Sequence, residues 1–397
     1  MSVRGGPGRA GWIFLLGCLW AIGAPAQAIK PSGGYAAWSN GPSDSADWFP
    51  IGVWLQSPRN ANRYKNIGVN LYVGLYDGPT EQQLEALEKA NMPVICGQNN
   101  WALDHLDRRI IVGWMQEDEP DNAQLVGGRH YGPPVTPDAL QANYDKMHNA
   151  DPTRPIYLNF GQGVAWDGWT GRGNRTNEPG DYLQYVKSGD ILSFDFYPAA
   201  SAAEEIAGKL WMVPAGVERL RQWSQDRKFI WNCVETTRIS NPSAEVTPLQ
   251  VRTEVWMSII HGSRGVVYFA HQFAPHFVEA GLLADSEMAA AVGNIDAQIQ
   301  ALTPVLNSAT IKKGAGVTSS VSEVPVDIMV KQYEGATYVF AVAMRDGDTR
   351  ATFSIQGCKG PSAVTALGED RTIVARDGQW EDAFGGFGVH IYRMAQQ

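Results

Sequence analysis

Cysteine is scarce: the chain has four in 397 residues, and one of them, Cys18, falls in the apolar stretch near the N-terminus. No Cys/His spacing reads as a zinc site, so neither a metal nor an organic cofactor is expected. Basic runs are missing as well. Lys and Arg total 32 against 41 Asp and Glu, for a net charge of −9. This excludes the positive footprint that a nucleic-acid or anionic-membrane partner requires. Long hydrophobic runs are limited to one, "GWIFLLGCLWAIGAP", which is interrupted by Gly and Pro and short for the ~20 apolar residues of a membrane span. Arg4 and Arg9 precede it, and the small-residue site Ala26-Gln27-Ala28 follows. That order predicts a cleaved secretory signal over residues 1–28, with an uncleaved anchor as the alternative. Cleavage would remove two Arg and no acids, taking the charge from −9 to −11. The mature protein is then expected to be secreted or periplasmic, with no stable membrane span. Cys96, Cys233 and Cys358 would remain. An odd number cannot all pair within one chain, so buried free thiols are expected, with one disulfide as the alternative.

Aromatic residues, by contrast, are plentiful: 14 Trp, 14 Tyr and 13 Phe, within a chain that is 44% hydrophobic. Such a chain can bury a large core, and its length suits one large domain plus a smaller one. Eight short apolar segments run through its first three quarters. They are "PIGVWL" (50–55), "VNLYVGLY" (69–76), "MPVICG" (92–97), "RIIVGW" (109–114), "PIYLNF" (155–160), "DILSFDFY" (190–197), "KFIWNCVE" (228–235) and "RGVVYFAH" (264–271). Each is continuous rather than alternating, as strands covered on both faces should be.

Helix-like stretches lie between them. "TEQQLEALEKAN" has a capping-box pattern at Thr80 and Gln83. "TPDALQANYDKMH" and "TPLQVRTEVWMSIIHG" each begin with an N-cap Thr followed by Pro. "AGVERLRQWSQDR" is amphipathic, and "LADSEMAAAVGNIDAQIQAL" is long and Ala-rich. The connection 98–108 is too short for a clear helix, and "GWTGRGNRTNEPGD" (168–181) reads as a loop. Eight alternations of strand and helix predict a (β/α)₈ barrel over residues 29–307. A doubly wound open sheet is the rival, but no G-x-G-x-x-G or P-loop follows the first strand. Beyond Leu306 the texture changes to alternating apolar and polar residues with turns at Glu334-Gly335 and Asp346-Gly347. This predicts an antiparallel β-sandwich over residues 308–397.

Four acids crowd into "GWMQEDEPDN" (113–122), at the end of the fourth apolar segment. In such a barrel the C-terminal ends of the strands share one mouth. Glu119 follows strand four and Glu235 ends strand seven, so both are placed to reach over it. Two carboxyl groups over a concave mouth suit cleavage of a glycosidic bond. One protonates the leaving oxygen, and the other attacks the anomeric carbon or activates water. Metal- or Lys-dependent lyase and isomerase chemistry on the same barrel lacks a visible cluster.

On these residues the chain resembles the clan of (β/α)₈ retaining glycoside hydrolases that includes β-galactosidases and cellulase-type endoglucanases. The likeness covers roughly residues 45–305. It implies a β-glycosidase acting on a poly- or oligosaccharide, with Glu119 of "EDEP" as acid/base and Glu235 of "NCVET" as nucleophile. Tyr197 would support Glu235, as a Tyr there often does in the clan. Asp118 stands where the clan usually has Asn, and the Trp often found after strand eight is replaced by "YFAHQF". These departures keep open a catalytically inactive carbohydrate-binding barrel.

Trp54, Trp101, Trp166 and Trp169 follow strands one, three and five and are candidate stacking platforms for sugars; packing is the alternative for each. Gln98, Asn99, Asn159 and His271 are candidate hydroxyl-binding groups, with a structural hydrogen bond the alternative. Asp195 and Asp77 are weaker candidates. For Glu119 the plain alternative is a loop acid, with Glu117 the rival donor. For Glu235 it is an ion pair with Arg238.

Overall fold

The computed structural model describes residues 34–395; the expected signal segment, with Cys18, lies outside them. Eight strands form a parallel barrel: Ile51–Trp54, Leu71–Val73, Val94–Gly97, Ile111–Met115, Ile156–Phe160, Ile191–Phe194, a seventh in two pieces (Phe229–Ile230 and Asn232–Glu235), and Val266–Phe269. The eighth strand pairs with the first, Ile51 opposite Val266. The seventh changes partner at Trp231. Its first piece pairs with strand six and its second with strand eight, and this closes the ring.

The lumen is filled rather than hollow. Trp54, Val73, Ile95, Tyr157, Trp231 and Phe269 pack together inside it. At its N-terminal end Tyr35 stacks on Phe229 with ring centroids 4.2 Å apart, and its hydroxyl accepts a hydrogen bond from the Trp231 indole at 2.9 Å. Residues of the opposite strand faces, such as Val53, Val94 and Val234, pack outward against the helices.

The helix starts follow the sequence signals. Thr80 with Gln83 and Thr247 with Gln250 each form a reciprocal capping box, so two otherwise orphaned N–H groups are satisfied at each start. Thr136 caps the helix Pro137–Ala150. The connection after strand three holds a single turn, Asn100–Leu103. After strand five come short 3₁₀ turns, among them Gln162–Val164 and Thr170–Arg175, in place of a regular first helix.

The long helix Ser286–Leu306 leads into eight antiparallel strands, from Ala315–Ser319 to Val389–Ala395. These form one continuous sheet curled around its own core of Phe353, Trp380 and Tyr392. The two-residue turn Glu334-Gly335 has positive φ at both positions, as a tight hairpin needs. This unit packs on the helix Pro248–Ile260, where Trp256 stacks on Phe340 at 5.7 Å. Cys96 and Cys233 are buried free thiols and Cys358 a half-buried one.

Candidate active site

The fourth strand ends at Met115, and the acids that follow turn over the C-terminal mouth. Glu119 sits in the left-handed region, φ 44°, just before Pro120. A non-glycine residue held there costs of order 1 kcal/mol and persists only where the surroundings fix it. They do so here. The Glu119 N–H donates to the Asn159 carbonyl at 3.1 Å, and its carboxylate accepts from the Asn122 amide at 2.8 Å. The other face of that amide, Asn122 Oδ1, accepts from the Trp169 indole at 2.8 Å. Gly161 makes room for this chain of contacts, since a Cβ at that position would lie 2.5 Å from Asn122 Oδ1.

Asp118 and Asp195 flank Glu119. One amide nitrogen, Asn159 Nδ2, donates to both aspartates, at 2.9 and 3.0 Å. Asn159 Oδ1 in turn accepts from Ser193 at 2.6 Å. Burial first, and then the neighbouring carboxylates, drive the acids toward their protonated forms. Glu119 is pushed up to about 9, with Asp195 its strongest charged neighbour. Asp118 is pushed up to about 7, again by burial and then Asp195. Asp195, 8% exposed, moves in the same direction. Of the three, only Asp118 lines an open cleft of about 840 Å³. Glu117, the rival donor, is an exposed residue outside the cleft lining.

The cleft lies over strands one, two and eight and is lined by Trp54, Gln56, Tyr76, His271, Phe273 and Glu279 among others. Its floor is ordered. Tyr64 donates to Gln56 Oε1 at 2.6 Å, and Gln56 Nε2 reaches the Glu279 carbonyl at 2.9 Å and His271 Nε2 at 3.1 Å. An Nε2 that accepts from an amide requires a neutral imidazole. Burial lowers the His271 pKa in agreement with this. A second cavity of about 170 Å³, lined by Phe49, Lys228 and Lys331, lies far from these acids at the other end of the barrel.

Glu235 is the main correction. It was expected to face Glu119 across the mouth, and it does not. The residue is 0% exposed. Its two carboxylate oxygens accept from the Ala199 and Ala200 N–H groups, both at 2.6 Å. Its charged neighbour is Glu254 on the helix Pro248–Ile260, also buried, and none of the mouth acids acts on it. Burial pushes Glu235 up to about 8 and Glu254 well above the carboxylate range. Arg238 does not pair with Glu235 either; it bridges to Glu245 at 2.9 Å.

Other expectations are redistributed. Tyr197 does not support Glu235. Its ring packs 5.0 Å from Phe269, and its buried hydroxyl lies beside Asp195 within the field of Glu119. Asn159 is a bridge between the aspartates, its amide hydrogens already committed. Gln98 donates to the Met147 carbonyl and Asn99 caps the turn at Asn100, so both are structural. Trp101 stacks on His105 at 4.2 Å, outside the cleft lining. Trp54 and His271 do line the cleft. Trp166 and Trp169 lie near each other, with centroids 5.6 Å apart, on the Asn122 side of Glu119. Asn122 itself was missed, although its spacing three residues after Glu119 is a local signal. Among the described residues no group of His, Cys, Asp or Glu is arranged to hold a metal ion, and no helix is long and apolar enough to cross a membrane.

This geometry yields one direct expectation. The Asn122 amide stabilises ionised Glu119, so Asn122→Ala should raise the Glu119 pKa and move the alkaline limb of the activity profile upward. Gly161→Ala, which displaces Asn122, should act in the same direction. An alkaline limb left in place by both changes would mean that this contact does not tune the acid.

No family model matches this sequence, and no curated protein matches it. Solved structures do resemble it. One is the alpha-amylase from Geobacillus thermoleovorans complexed with acarbose: TM-score 0.53, 10% identity, covering 89% of this chain and 99% of that one. Another is a variant of AmyP in complex with maltotriose: TM-score 0.52, 10% identity, covering 88% and 97%. At such identities the likeness shows the architecture, a (β/α)₈ barrel with a C-terminal β-domain, as in these glycoside hydrolases.

Proposed function

We propose that this chain is a glycoside hydrolase acting on a poly- or oligosaccharide, with Glu119 as the proton donor. The observation that carries this reading is a cluster of three acids beyond the ends of the barrel strands, Glu119, Asp118 and Asp195, of which Asp118 lines a cleft walled by aromatic rings. Glu119 donates its proton to the departing glycosidic oxygen, which would otherwise have to leave as an alkoxide. Asp118, the member of the cluster that lines the cleft, assists attack at the anomeric carbon, while the Asn159 amide, shared with Asp195, holds it in place. The β-specific, retaining form with two glutamates finds no support at Glu235, which is sealed from the mouth. The configuration of the first-formed sugar, read by NMR, therefore assigns the role of Asp118: retention marks a nucleophile and inversion a base. A secreted or periplasmic location fits both this substrate class and the N-terminal signal pattern.

Reducing-sugar release from a panel of plant, algal and bacterial glycans tests the reading. The inactive carbohydrate-binding alternative gains from the loss of Glu235, and glycan retention without product over long incubation would select it. The pH profile is a second test. Asp118 must be ionised and Glu119 protonated, so kcat/KM should rise through about pH 7 and fall through about pH 9. The limbs belong to the coupled cluster rather than to single residues. A profile already falling at pH 6 would contradict these roles.

A further inference from the structure

One wall of the cleft is a series of rings that the cleavage chemistry does not use. Phe269, whose ring lies 5.0 Å from that of Tyr197, lies 6.1 Å from Phe273, and Phe273 lies 5.5 Å from Phe277. Exposure grows outward along this series. Phe269 is 9% exposed, Phe273 50% and Phe277 59%. Tyr76, on the loop after strand two and also lining the cleft, is 71% exposed. Single exposed aromatics need no explanation, but a contiguous apolar series leading out of a charged site marks a binding surface.

The loop that carries these rings is ordered. Gln272 and Val278 exchange both backbone hydrogen bonds, at 3.0 and 2.9 Å, and the Phe273 N–H donates to the Arg238 carbonyl at 3.0 Å. The rings therefore stand on a fixed backbone, which lowers the entropy cost of stacking a ligand on them.

We infer that Phe273 and Phe277, with Tyr76, form outer sugar-binding positions, and that the substrate is a chain of several pyranose units rather than a small glycoside. The inference rests on the hydrolase reading above. A pyranose ring has an apolar C–H face and a rim of hydroxyls, so a flat aromatic can take the face while the hydroxyls stay hydrated or bonded. The polar groups around the rings suit that rim. Asp118, Gln56, Glu279, Arg59 and Gln82 all line the cleft with them. A lipid or an apolar peptide would have to desolvate all of these without replacing their hydrogen bonds. The cleft volume, about 840 Å³, is large for a single sugar ring and sits high in the roughly 300–1,000 Å³ range of ligand pockets.

The test is kcat/KM along a ladder from disaccharide to hexasaccharide of the best-cleaved glycan, for wild type, Phe277→Ala, Phe273→Ala and Phe277→Tyr. In wild type the value should climb with length until the outer rings are occupied. Phe277→Ala should reach its plateau one unit sooner and lose about 10-fold on the hexasaccharide, and Phe277→Tyr should regain most of that. A wild type indifferent to length, or alanine variants that track it at every length, would overturn the inference. Should wild type cleave no glycan at all, the hydrolase reading falls separately. The outer positions are then judged by calorimetric binding of xylohexaose, cellohexaose and maltohexaose. Affinity weakened by Phe277→Ala supports them, and no binding or no change rejects them.

Discussion

Glu119→Gln is expected to lower kcat on an unactivated oligosaccharide by about 10²–10⁴-fold, the usual contribution of a positioned general acid. Glutamine keeps the volume of Glu119 and can still pair with Asn122, so the fold and the left-handed turn before Pro120 should survive. Only the transferable proton disappears. The loss should shrink sharply on an aryl glycoside whose phenol leaves without protonation. The alkaline limb near pH 9 should vanish with it, because the group that titrates there is gone. A glutamine variant equally impaired on both substrate types, or one that retains the limb, would assign the proton to another residue. Asp118 would then be the first to examine, since it lines the cleft.

The second large effect concerns Glu235 and Glu254. Glu235→Ala leaves the Ala199 and Ala200 N–H groups buried without acceptors, at about 1–3 kcal/mol each. The expected result is a strong fall in Tm and a displaced segment after strand six, the segment that carries Asp195 and Tyr197. Activity should fall, and added azide should not restore it, because a fully buried position cannot admit an exogenous nucleophile to the sugar. Formation of a glycosyl azide would show that Glu235 reaches the substrate after all.

The same pair makes stability depend on pH, with a definite sign. Glu235 rises from 4.5 to about 8 on folding, so its contribution is fully present below pH 4.5 and is lost as pH climbs toward 8. Glu254 shifts in the same direction. Thermal unfolding should therefore show a higher Tm at pH 5 than at pH 8, and Glu254→Gln should flatten that slope. A slope unaffected by the substitution would place the proton linkage elsewhere.

Much of the barrel could be read from the chain, because its signals are local. Continuous apolar runs mark strands covered on both faces, and Thr-Pro and Thr-x-x-Gln mark helix starts whatever surrounds them. Glu334-Gly335 marks its hairpin in the same way. That Asp118 and Glu119 follow the C-terminal end of the fourth strand was legible for a related reason, because the strand itself was. Glu235 misled because the direction of its side chain is set by distant partners. Trp231 and Cys233 point into the lumen, and a period of two suggests that Glu235 does too. Two amides from the strand-six loop and a glutamate on the following helix decide otherwise, and nothing near position 235 announces them. Asn159 was misassigned for the same kind of reason. It looks free to bind a hydroxyl until Asp118 and Asp195, 41 positions before it and 36 after, arrive on either side.

The Tyr35 plug bears on how a long glycan could be handled. Among the described residues, Tyr35, stacked on Phe229 and bonded to Trp231, closes the N-terminal end of an already filled lumen. A polymer cannot thread through the ring. On the hydrolase reading it must drape across the top, and both halves of a severed strand must leave from the same face at which the intact strand arrived.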